Sequence, residues 1–139
     1  MQSTPEIFTP SPKFGGGNTG MTFTTCAGAY VLNQNMVQGS IKLVWSAQGS
    51  STGDLTIEGL PYTSSAVAGA LGGASIIYCT GVNPTADEAT IVGFIDASTS
   101  LMRVYFTPTD AGTLVTNVTH ADLTNTSSLF FTFSYFIDR

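Results

Sequence analysis

The chain has 139 residues, of which 42% are hydrophobic and only 9% charged, with a formal net charge of −5. That length suits one domain able to bury roughly two thirds of its unfolded surface, and so apolar a composition is not that of a disordered chain. Lys13, Lys42, Arg103 and Arg139 are the only cations and are scattered, which argues against a nucleic-acid partner. No run approaches the ~18 apolar residues of a membrane helix, and MQSTPEIF lacks the basic and apolar regions of a signal peptide.

Residues 1–14 read as an extended arm, because Pro5, Pro10 and Pro12 each disfavour helix in the residue before them. Gly15, Gly17 and Gly20 then fit G-x-G-x-x-G. That fingerprint holds a phosphate only where it follows a strand and opens a helix. Here it follows a proline-rich arm and precedes the β-rich run Met21–Cys26, so the glycines serve the backbone. Ala29–Gln34 predicts a strand, Asn33–Asn35 a turn, and Met36–Ser46 a strand with Val37, Gly39, Ile41, Leu43 and Trp45 on one face. Asp54–Glu58 predicts a short strand that Pro61 ends, and Thr63–Gly73 a crossing segment. Ala74–Thr80 is a strand, and Glu88–Asp96 and Ser100–Thr107 form a hairpin. Residues 108–126 read as loop, with Val118–Leu123 a turn or two of helix at most.

Leu129, Phe131, Phe133, Tyr135 and Ile137 share one face of a closing strand, and Phe130, Thr132, Ser134 and Phe136 the other. A strand apolar on one face and partly aromatic on the other lies between sheets or meets another subunit. The fold class is therefore all-β: a single β-sandwich of about eight strands (residues 15–139) behind the arm (residues 1–14), nearer a jelly roll than an up-and-down barrel.

Chemistry is sparse. His120 and Asp122 fall short of the three or four ligands of a zinc site and suit a polar loop or cap. Asp54 and Glu58 share a strand face roughly 13 Å apart by strand rise, beyond the spacing for glycoside cleavage, and the adjacent Asp87 and Glu88 point to opposite faces. No catalytic residue, cofactor or metal is expected. The loops carrying Gln48–Gly53, Asn83, Asp87, Asn117 and Asn125 offer groups for a glycan, and Tyr30, Tyr62 and Tyr78 are candidate platforms, although strand aromatics are mostly core. Cys26 and Cys79 allow one bridge, but their apolar strand settings favour free thiols.

Phe14-Gly-Gly-Gly-Asn-Thr-Gly20 before a Thr-rich strand, Gly28-Ala-Tyr30, Gly53-Asp-Leu-Thr-Ile57, Gly59-Leu-Pro-Tyr62 and the closing aromatic strand occur in succession. This pattern resembles the trimeric β-sandwich (jelly-roll) domains on virions of tailed bacteriophages, found in capsid decoration and head-fibre proteins and at tail-fibre and tailspike tips. The resemblance implies a homotrimer on the virion exterior that uses Phe130, Thr132, Ser134 and Phe136 as its interface. A start at Met fits a complete gene product, and an ordered arm suggests something to lie against. The leading expectation is therefore a capsid decoration (cement) protein gripping the major capsid protein or another virion protein through Ile7, Phe8 and Phe14. Deletion of residues 1–13 would then leave the fold intact. The alternative is a fibre or tailspike tip that binds a host-surface receptor or glycan.

Overall fold

The computed structural model describes residues 4–83, 88–108 and 115–138. Along them the alternating pattern becomes ten strands: β1 (Glu6–Phe8), β2 (Ser11–Phe14), β3 (Thr22–Asn33), β4 (Met36–Ala47), β5 (Leu55–Glu58), β6 (Gly72–Val82), β7 (Glu88–Ile95), β8 (Met102–Pro108), β9 (Thr116–Asn117) and β10 (Leu123–Phe136). They form one curled antiparallel sheet in the order β1-β3-β4-β10-β6-β7-β8-β5-β2, with β9 beside β8. The count differs from the expected eight because the arm contributes β1 and β2 and the loop-rich stretch β9, while Met21–Cys26 and Ala29–Gln34 join in the single strand β3.

The arm is extended, as its prolines require, but it is not free. β1 pairs with β3 at one margin of the sheet and β2 pairs with β5 at the other. Only Thr9 and Pro10 separate them, so the N-terminal segment crosses from one margin to the other and bridges the ends of the curl. The Phe8 ring lies over Gly28, where a Cβ would collide with it, and meets Phe133 edge-on at 5.8 Å. Phe14 is 1% exposed and stacks on Trp45 at 6.5 Å. Pro12 is tolerated because β2 is an edge strand.

Phe14 and Gly17 exchange backbone hydrogen bonds of 2.8 and 3.1 Å around Gly15 and Gly16. Those two residues have φ of +59° and +86°, the positive-φ pair of a tight two-residue hairpin turn. No helix follows, and the next element is β3. A Cβ on Gly15 would overlap the Thr52 carbonyl, so this turn also lets the chain lie directly on Thr52 and Gly53.

β10 is central, paired with β4 from Ser128↔Val44 to Phe136↔Met36 and with β6 on its other side. Its inward residues Leu129, Phe131, Phe133 and Tyr135, with Ile137 just past its end, are buried with Val37, Ile41, Leu43 and Trp45 of β4, each burial contributing roughly 1.5–3 kcal/mol. The strand begins at Leu123 rather than Leu129. Its first part contains a register shift between Leu123 and Ser128 that breaks the alternation. There the buried Ser127 Oγ donates to the Gly81 carbonyl and accepts from the Thr124 N–H, both at 2.7 Å.

Cys26, Leu43, Leu129 and Cys79 lie in one row across β3, β4, β10 and β6. Three strand spacings of ~4.8 Å separate the thiols by about 14 Å, beyond the ~7 Å Cα limit for a disulfide, and both are free. Cys26 Sγ donates to the Pro10 carbonyl at 3.1 Å, and partial burial pushes its pKa up.

Candidate functional site

Residues from three stretches that the sequence marked as polar, Gln48–Gly53, Asn83 and 117–125, meet at one end of the sheet, where β4 runs into Gln48. The Gln48 N–H donates to Asn125 Oδ1 at 3.0 Å, and Gln48 Nε2 to the His120 carbonyl at 2.9 Å. The Asn83 N–H reaches the Asp122 carbonyl at 2.8 Å. His120 Nδ1 accepts from the Gly53 N–H at 3.0 Å while the His120 N–H donates to the Gly53 carbonyl at 3.1 Å. With Nδ1 an acceptor, the ring proton belongs on Nε2. His120 opens a 3₁₀ turn, His120–Asp122, capped by Thr119, whose N–H donates to Asp122 Oδ2 at 2.9 Å. His120 and Asp122 thus brace backbone. Asn83 and Asn125 sit exposed on this rim, and Asp87 lies outside the described residues.

The fourth glycan candidate, Asn117, lies on a different feature. β5 and β8 pair only through Thr56↔Arg103 and Ile57↔Met102. Beyond that they splay, and residues 117–119 wedge into the fork. The Val118 N–H bonds the Val104 carbonyl at 3.1 Å, the Leu55 N–H bonds the Val118 carbonyl at 2.7 Å, and Asp54 bridges to Thr119. Val118 plugs the core with no exposure. On the outer side Asn117 sits opposite Tyr105, and its Nδ2 donates to Asp54 Oδ2 at 3.0 Å. Asp54, Leu55, Thr56, Arg103, Tyr105 and Asn117 line an open recess of about 220 Å³. Among the described residues Lys13 pairs with Glu58 at 3.3 Å and Lys42 lies 5.2 Å from the Phe130 ring centre, whereas Arg103 has no carboxylate partner.

The aromatic beside this polar cluster is therefore Tyr105, not the three tyrosines singled out by sequence. Tyr30 donates to Glu6 Oε2 at 2.8 Å and meets Tyr62 edge-on, far along β3 toward the Asn33–Met36 turn. The hydrogen bond to Glu6 chiefly pushes the Tyr30 pKa up. Tyr78 lies on Phe130, ring centres 5.0 Å apart. Tyr105 is legible afterwards: Met102, Val104 and Phe106 are buried, which turns Arg103 and Tyr105 outward.

Of the arm residues, Ile7 is 88% exposed, Phe8 is half-buried, and Phe14 belongs to the core, so Phe14 has no surface to offer a coat protein. Phe130, Thr132, Ser134 and Phe136 do occupy the outer face of β10, half-buried or exposed. Beside them Gly73, Ser75, Gln38 and Ser134 line an uncharged groove of about 330 Å³, and Tyr78 and Ile77 are exposed. Ile77 is the extra residue of a bulge opposite Phe130 and Phe131.

No protein-family model and no curated protein matches the chain. Almost the whole of this chain is similar in structure to part of a solved one, the crystal structure of Dettilon tailspike protein (gp208), with a TM-score of 0.79 and 20% sequence identity. The superposition covers 98% of this chain and 24% of the tailspike chain. This chain thus shares the fold of a domain-sized part of a phage tailspike.

Proposed function

We propose that this chain is a receptor-recognition domain on the exterior of a bacteriophage virion, working in a tailspike-like setting and binding host-surface glycan without cleaving it. The observation that carries the reading is the shared fold with a tailspike along 98% of the chain. The rim and recess add the groups that saccharide recognition uses: amides, a carboxylate, a guanidinium and an aromatic ring on a rigid sheet. Capsid decoration loses its main support, because the ordered arm already has partners in β3 and β5 of its own chain.

The placement of Asp54 and Glu58 supports the reading of binding without cleavage. Asp54 is bonded to Asn117 and Glu58 to Lys13, so they are drawn to different partners rather than facing one another across a substrate. The outer face of β10, with Phe130, Thr132, Ser134 and Phe136, is the surface other copies cover in a homotrimer. Its uncharged groove of small residues beside exposed aromatics is what a side chain of a neighbouring copy can fill. Light scattering coupled to size exclusion should give a mass of three chains.

The test of function is competition. Purified protein should block adsorption of the parent virus to its host and should not release new reducing ends from host polysaccharide. Undiminished adsorption at saturating protein, together with binding to isolated capsids, would return the chain to decoration.

A further inference from the structure

We infer that the recess at the β5–β8 fork is a subsite for an acidic sugar, a saccharide unit carrying a carboxylate. The inference rests on the glycan-binding reading above and names the place and the class of unit. The argument starts from charge. In a chain of net charge −5, an anionic ligand is repelled in general and must be met by a specific cation. Among the described residues the other cations are engaged, Lys13 by Glu58 and Lys42 by the Phe130 ring. Arg103 alone faces a recess without an ion-pair partner, and its planar fork of donors suits a carboxylate.

The remaining groups suit the rest of a sugar ring. The Asn117–Asp54 hydrogen bond of 3.0 Å fixes both side chains and leaves carboxylate oxygens and an amide oxygen to accept from neighbouring hydroxyls. These groups stand on β9 and just before β5, while Arg103 stands on β8, so cation and anion meet different edges of one ring. Tyr105, opposite Asn117 and half-buried, presents its ring as an apolar contact between them. At about 220 Å³ the recess is smaller than the roughly 300–1,000 Å³ that encloses a drug-sized molecule. It therefore takes one unit of a chain whose other units run over the rim. The fork is held by backbone bonds on both sides of Val118, so the site is formed before ligand arrives.

The test is binding of the full chain to an array of acidic bacterial surface oligosaccharides, each printed beside its carboxyl-reduced form, with adsorption competition on host cells run in parallel. Wild type should favour an acidic form over its reduced partner by at least tenfold. Arg103→Gln should abolish that preference. Tyr105→Ala should weaken both forms about tenfold while Tyr105→Phe binds as wild type, with unchanged melting temperatures certifying all three variants. Glycan binding without an acid preference, or with one that survives Arg103→Gln, would overturn the subsite and leave the receptor reading standing. Blocked adsorption with no signal on the array would do the same. No array binding and no competition would overturn both.

Discussion

The two ends of the sheet use the same polar residues to opposite effect. Around the Asn33–Met36 turn they fasten the chain inward. The Ser64 hydroxyl donates to the Asp96 carbonyl at 2.5 Å and the Ser65 hydroxyl to Asp138 Oδ1 at 2.7 Å, and both serines are buried. The Tyr135 hydroxyl, on a core side chain, donates to the Tyr62 carbonyl at 2.9 Å and accepts from the Tyr62 N–H at 3.0 Å. Around Gln48 the side chains also brace backbone, but at Asn117 an amide bonds the Asp54 carboxylate on the exposed rim. The difference lies in what the polar groups reach: buried backbone must be satisfied and so becomes a lock, whereas exposed side-chain pairs keep acceptors free for a ligand.

Among the described residues the N-terminal segment alone supplies the strands at both margins of the sheet, so its removal breaks both ends at once. Deleting residues 1–14 should abolish cooperative unfolding, because it unpairs β3 and β5, removes Phe14 from Trp45 and uncovers Phe133. The check is a thermal melt by circular dichroism. An unchanged melt would make the segment the dispensable arm that its prolines suggest.

A more local break separates backbone strain from packing at the rim. Gly15→Ala should cost about 2–3 kcal/mol, combining a positive φ with a clash against backbone. Gly16→Ala should cost about 1 kcal/mol, since φ is also positive but a Cβ there meets nothing within 4 Å. Urea denaturation of the pair measures the difference. Equal losses would show that the approach of Gly15 to Thr52 does not matter to the loop end.

These glycines also mark how much the sequence could say. Local chemistry was legible: the glycines as backbone and not a phosphate cradle, the period-two faces of β4 and β10, the stop at Pro61, and the short capped turn at His120. Register between distant strands was not. Pro12 looks the same in a free arm and in an edge strand. Tyr105 and Asn117 are neighbours only because β9 pairs with β8. The recess is therefore a property of strand pairing across the fork, and no window of sequence contains it.

At the opposite end, Tyr135→Phe tests the lock with the core left intact. The ring stays packed, and the loss is the hydroxyl that holds Tyr62, about 1 kcal/mol. Burial pushes this hydroxyl's pKa up to about 12, so it remains a donor throughout the ordinary pH range. The loss should accordingly be the same at pH 5 and pH 9. A loss that varied between those values would mean the variant disturbs a titrating neighbour instead.

The smallest expected effect distinguishes charge from hydrogen bonding in the same lock. The Ala66 N–H, at 2.9 Å, and the Ser65 hydroxyl hold the Asp138 carboxyl below its ordinary pKa. The folded state therefore prefers the ionised form. Its contribution is fully present above the ordinary carboxylate value of about 3.9 and fades as pH falls through the lower folded value. Asp138→Asn loses the charge and puts an amide NH2 in place of one of the two accepting oxygens, much as protonation puts a hydroxyl there, so it should melt slightly below wild type at pH 7, with the gap closing in acid. Melting curves at pH 7 and pH 2.5 decide it. A gap that persists in acid would mean that geometry, not charge, holds Ser65 and Ala66.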